Sequence, residues 1–171
     1  MGHAITKQPS EQFPIAIEFS GNLPSGAALA TGTVLAAELK AAALTTLSAG
    51  TAVGAMTVTL PIDPKAGAIL ILDAMTGTRE EVQVQSVSGA GPYTATLTAP
   101  LQLAHAGGGA VQYFPGTSAV LQTAVATIAG TQASARVKGG QHGMDYRVTF
   151  LVALDSGDQL EEDVTLSVRN Q

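Results

Sequence analysis

The stretch DYRVTFLVALDSGDQLEEDVTLSV, residues 145–168, alternates apolar and polar side chains on both sides of an Asp-Ser-Gly-Asp centre. A period of two puts every second side chain on the same face of an extended chain, so such a run folds as half-buried strand rather than helix. Tyr146, Val148, Phe150, Val152 and Leu154 then share one face, and Leu160, Val164, Leu166 and Val168 share a face of the returning strand. Asp and Gly tolerate the positive φ of tight turns, so the centre has the chemistry of a hairpin loop.

The same pattern recurs along the chain. FPIAIEF places Phe13, Ile15, Ile17 and Phe19 on one face. Pro14 lacks an amide donor, which assigns this strand to a sheet edge. TVLAAEL, Val120 to Ile128 and Ala133 to Lys138 read as further strands, the last two joined at AGTQ. Between them lie MTVTL, GAILIL, REEVQVQSV, YTATLT and GAVQYF, separated by turns such as PIDPKAG and SGAGP. Helical periodicity is confined to residues 36–47, AAELKAAALTTL, where Leu39, Ala43 and Leu47 predict one face of a short helix.

Short strands with frequent turn signals predict an all-β protein. The block 48–115 opens with SAGTAVGA and closes with FPGTS, both loop-like, and its strands suit a small barrel or sandwich. The flanking parts have too few strands to close separately. Together they supply the count of an immunoglobulin-like β-sandwich. The predicted architecture is therefore a discontinuous sandwich, residues 1–47 plus 116–171, interrupted by an inserted small β-barrel or sandwich domain, residues 48–115.

Only 12% of the 171 residues are charged, against about 25% in a typical soluble domain. A neutral surface is poorly protected against association, which points to a chain that works inside an assembly. The net charge of -5 and eight scattered basic residues give no positive stripe for phosphates, so nucleic acid is not an expected partner. Cysteine is absent, which excludes disulfides, a thiolate nucleophile and sulfur-ligated zinc. The start, MGHAITKQPSEQ, lacks the apolar core of a signal peptide, and no run approaches the length of a membrane span.

Several clusters have the residue types of chemistry. Asp155, Asp158, Glu161, Glu162 and Asp163 crowd the hairpin turn, but their spacing matches no calcium loop, and charge runs of this kind are usually solvated. His3, His105 and His142 stand apart in loop-like contexts with no partner at metal-ligand spacing; His105 reads as packing or hydrogen bonding within a turn. No G-x-S-x-G elbow or phosphate-binding glycine pattern occurs. Tyr93, Tyr113 and Phe114 are the aromatics from which a contact patch in the central block could be built, and Trp is absent. No catalytic, cofactor-binding or metal residue is assigned, and no enzyme activity is expected.

The segment TIAGTQASARVKGGQHGMDYRVTFLVALDSGDQLEEDVTLSV, with KQPSE before the first strand, resembles a family of small virion proteins of tailed bacteriophages. The features are a Thr/Ala-rich strand, a GG turn, G-x-D-Y-x-V-x-F, and an Asp-Gly hairpin followed by an acidic residue and L-x-V. The likeness covers residues 7–37 and 118–169, with the block 48–115 as the departure. TLTAPLQLAHAGGGAVQ is itself similar to small β modules of phage structural proteins. The resemblance implies an immunoglobulin-like fibre-to-tail adaptor or neck component, with no catalytic residues to carry over. The expected role is a symmetric, homo-oligomeric connector in the virion, made in the host cytoplasm and partnered by portal, neck, tail or fibre proteins. A capsid decoration protein and a glycan-binding adhesive module are the rival readings.

Overall fold

The computed structural model describes residues 3–40 and 43–170. Among these residues every regular element is a strand, so the chain is all-β. It divides into two compact units, Met1–Ala36 with Ser118–Gln171, and Ala37–Thr117.

The first unit pairs β1 (His3–Lys7), β13 (Gln159–Val168), β12 (Asp145–Leu154) and β3 (Leu29–Glu38) in that spatial order. A second sheet orders β10 (Thr127–Ala129), β11 (Gln132–Val137) and β2 (Phe13–Glu18). β12 and β13 form the hairpin read from residues 145–168, in a register that sets Tyr146 opposite Leu166 and Val148 opposite Val164. Gly157, at φ 91°, supplies the left-handed turn residue.

One core joins the two sheets, which is the arrangement of a sandwich. Ile15 and Ile17 of β2 and Ala133, Ala135 and Val137 of β11 bury against Val34, Val148, Phe150, Val152, Val164 and Leu166. β2 lies at the edge of its sheet, where Pro14 removes no needed ladder bond. At the other side of β11 the chain between Val120 and Ala129 is split. Leu121 bridges Val137, then Val125 crosses to bridge Thr33 of β3, before β10 returns to β11.

β1 does not stand out in the sequence. His3–Lys7 runs parallel to β13, from His3 opposite Val164 to Lys7 opposite Val168. His3 accordingly stands in a strand and not in a loop. Five residues with one large apolar side chain, Ile5, give too short an alternation to stand out.

The second unit is a six-stranded antiparallel sheet. Its order is β4 (Ala43–Thr46), β9 (Ala110–Phe114), β6 (Ile69–Leu72), β7 (Glu80–Ser88), β8 (Tyr93–Leu97) and β5 (Thr57–Leu60). A bulge in β7 between Val84 and Ser86 bends the sheet. The Ser48 amide donates to the Thr59 carbonyl at 2.8 Å, so the chain leaving β4 meets β5 and the sheet curls onto itself. Leu47, Val58, Leu60, Leu70, Leu72, Val84, Leu97, Leu101 and Val111 fill its interior.

The short helix expected at residues 36–47 does not form. Ala36 to Glu38 continue β3, and Ala43–Thr46 is β4, paired with β9. Ala favours helix, but Thr45 and Thr46 are β-branched, and pairing with β9 together with burial of Leu47 outweighs a weak local preference. Residues 37–40 and 43–47 therefore belong to the second unit.

Candidate functional site

The five carboxylates of the hairpin turn are engaged separately. Asp155 Oδ1 accepts the Ala28 amide at 3.0 Å, and the Asp155 amide donates to the Ala28 carbonyl. Asp158 accepts the Ser156 hydroxyl at 2.9 Å, and Glu162 accepts Asn22 Nδ2 at 2.8 Å. Asp163 accepts the Thr149 hydroxyl at 2.7 Å and faces Arg147 at 3.7 Å. Glu161 lies opposite Leu151 in the ladder. Alternation along β13 sends Glu162 to one face and Glu161 and Asp163 to the other, so the cluster in sequence is dispersed in space.

The aromatics do not make a platform. Tyr113 and Phe114 are neighbours on β9 and point to opposite faces of its sheet. Tyr113 packs on the second core and its hydroxyl donates to the Pro64 carbonyl at 3.3 Å. Tyr93 lies on β8, opposite Leu60 of the edge strand β5.

Of the histidines, His142 Nδ1 accepts the Asn170 amide at 2.9 Å at the surface. The His3 side chain lies outside the described residues. His105 is different. Its fully buried ring stands between two carboxylates, with Nδ1 at 2.9 Å from Asp73 Oδ2 and Nε2 at 2.9 Å from Glu80 Oε2. Asp73 follows β6 and Glu80 opens β7, so the ring ties both ends of that turn to the loop 98–109.

The other partners of the two carboxylates are donors. The Thr78 hydroxyl donates to Asp73 Oδ2 at 2.9 Å, and the Gln102 and Leu103 amides donate to Glu80 at 2.7 and 3.0 Å. Carboxylates that receive donors on all sides are held ionised, and a ring facing a carboxylate at each nitrogen is held doubly protonated. Burial is the largest single influence on His105 and pulls its pKa down, but the bonds to Asp73 and Glu80 together outweigh it and raise the pKa. The His105 bond is the main cause that holds Asp73 below the usual carboxylate range. Burial pushes Glu80 up, but the Gln102, His105 and Leu103 donors bring it below its usual value.

Gly109 completes the site by having no side chain, since a Cβ there would collide with Asp73 Oδ1. Sequence spacing could not reveal the trio, because its carboxylates lie 32 and 25 positions from His105. The trio does not converge on a common point for a metal, because the ring itself occupies the space between the acids. Among the described residues no group of three or more such side chains is placed to hold a metal ion.

The first unit has its own charged tie. Lys7 is 1% exposed, and its Nζ donates to the carbonyls of Gln8 and Gly139 at 2.6 Å each and of Pro9 at 3.4 Å. Burial lowers the ammonium pKa, and the Glu11 carboxylate partly offsets this. Gly140, at φ 93°, turns the chain so closely that a Cβ would meet Val168 Cγ2 at 2.8 Å. The KQPSE segment and the GG turn are thus fastened together.

What these ties leave exposed is backbone edge and apolar side chain. β1 and β2 each pair on one side only among the described residues. Leu44, Val53 and Met75 in the second unit and Val125 in the first are 64–78% exposed. Unpaired strand edges can accept another strand, and uncharged flanks lower the barrier to contact.

No curated protein matches the chain. A family model described as podophage GP4 fiber-tail adaptor protein gp77 matches residues 92–167. The matched span takes in β8, β9 and the loop of His105 as well as β10 to β13, so part of the central block shares the likeness that residues 118–169 carry. It does not extend to residues 7–37. Over residues 92–167 the chain is therefore similar to a fiber-tail adaptor family of podophages, a match that supports a structural role as a phage tail adaptor.

Proposed function

We propose that this chain is a structural connector of a tailed-phage virion, holding the tail or neck to fibres or neighbouring proteins as a symmetric homo-oligomer. The observation that carries the reading is the match to the fiber-tail adaptor family over residues 92–167. The first unit is, in this reading, an immunoglobulin-like sandwich. Its β10-β11-β2 sheet corresponds to strands D-E-B and its β13-β12-β3 run to G-F-C. The Tyr146 hydroxyl accepts the Gln141 amide at 3.0 Å, a bond from the start of β12 back to upstream backbone that resembles the tyrosine corner. The second unit then stands as an insertion between strands C and D. It adds a contact surface to a body that docks on the particle.

The chemistry of the molecule fits assembly better than turnover. Its one buried histidine among the described residues has both nitrogens committed to carboxylates, which leaves neither free to move a substrate proton. Size-exclusion chromatography with multi-angle scattering tests the symmetric association. The expected mass is an integral multiple of the 17.2 kDa chain. A strictly monomeric mass at every concentration contradicts the homo-oligomer.

A further inference from the structure

We propose that His105 is a proton-dependent latch on the loop 98–109, shut while its ring donates to both Asp73 and Glu80 and slackened when the ring loses a proton. A neutral imidazole has one N–H and one bare nitrogen. The bare nitrogen would face a carboxylate at 2.9 Å, acceptor against acceptor, and one of the two ties must open.

Besides those ties the loop has backbone and apolar anchors. Its fixed points are the mutual backbone pairing of Thr51 with His105, the Gly54 amide on the Leu101 carbonyl, the Leu101 amide on Ala55, and the Gly108 amide on Leu47. The Gln102 and Leu103 amides have Glu80 as their acceptor. Leu101 is the loop's buried apolar anchor, whereas Leu103 is 37% exposed. Release of Glu80 from the ring therefore loosens the acceptor that holds the exposed tip.

The charges that act on the ring are few. Asp73 faces it from the end of β6 and Glu80 from β7. The segment 47–51, paired to it through Thr51, has no ionisable side chain, and His105 is the one ionisable residue of the loop 98–109. Glu81 alternates to the other face of β7 from Glu80. Arg79, the residue before Glu80, is exposed, and no lysine or arginine shares the ion pairs of His105 among the described residues.

The direction with pH follows from linkage. The His105 pKa is raised on folding, so its contribution is complete below the unfolded value near 6.5 and is lost as pH rises through the folded value. The carboxylates are lowered, so theirs is complete above about 4 to 4.5 and is lost as pH falls through their folded values. The latch is tightest between these limits and opens on the alkaline side through the ring.

Amide hydrogen exchange of the full chain, followed by NMR from pH 5 to 10 and corrected for intrinsic exchange, reads the latch directly. Protection at Gln102, Leu103 and His105 is expected to fall as the His105 ring titrates, by about tenfold for each pH unit above its folded pKa until the unlatched state dominates. Glu80→Gln keeps an acceptor for the loop amides but removes one charge, and it should move both the ring titration and the loss of protection to lower pH. Protection that stays constant while the ring titrates overturns the latch, and so does a Glu80→Gln variant in which neither midpoint moves.

Discussion

His105→Ala is expected to destabilise the second unit by about 3 kcal/mol, the lower end of the cost of breaking a buried ionic pair by removing one partner. Two effects add. The ring leaves a void beside Asp73 and Glu80, and the two acids lose the side chain that bridges them. Both carboxylates are 11% exposed, so some water reaches them and the full penalty of a dry, unpaired charge does not apply. Chemical denaturation of wild type and variant measures the difference. His105→Gln, which restores one donor, should recover part of it, and a loss below about 0.5 kcal/mol for His105→Ala would show that the trio is an ordinary surface contact.

Lys7→Ala is expected to cost about 3 kcal/mol in the first unit. The stem is as buried as any core side chain, and deleting three methylenes forfeits about 0.8 kcal/mol each. The Gly139 carbonyl also loses its donor at 2.6 Å, at about 1 to 3 kcal/mol for an orphaned buried acceptor. Against this stands relief of the ammonium's burial, which the lowered pKa reports. Lys7→Met separates these contributions, because it restores the stem without the charge. Its cost should be about 1 kcal/mol by the same denaturation measurement. Equal losses for Ala and Met would assign the whole effect to the ammonium.

The two ties mark where reading the sequence succeeds and where it stops. Alternation made the β12–β13 hairpin, the β2 edge and most central strands legible, because burial on one face is a local pattern. Phe150 and Val164 could be placed in the core from spacing alone. β1 escaped because a five-residue strand leaves little periodic signal, and the helix expected around Leu39 and Leu47 failed because pairing with β9 is a tertiary choice. The contacts of charged groups are less legible still. Lys7 and Gly139 are 132 positions apart, and nothing in KQPSE announces that its lysine is buried under a glycine turn. His105 could be read as a turn residue, but not that Asp73 and Glu80 would hold it. Five acids close together in sequence proved to be scattered in space, whereas three residues far apart in sequence formed the charged site.

An adaptor differs from an enzyme in where its specificity lies. Here the buried charged groups, Lys7 and the His105 trio, fix a terminal strand and a loop, while β1 and β2 among the described residues keep an open strand edge. Rigid bodies with quiet surfaces and defined edges suit repeated docking, since little side-chain entropy is lost when such a surface is covered.

Quantitative mass spectrometry of purified virions tests the central claim most directly. The connector reading predicts this chain in the particle, at a fixed copy number far below that of the major capsid protein and retained with isolated tails. Absence from virions, or a copy number that rises to match the capsid subunits, would contradict it.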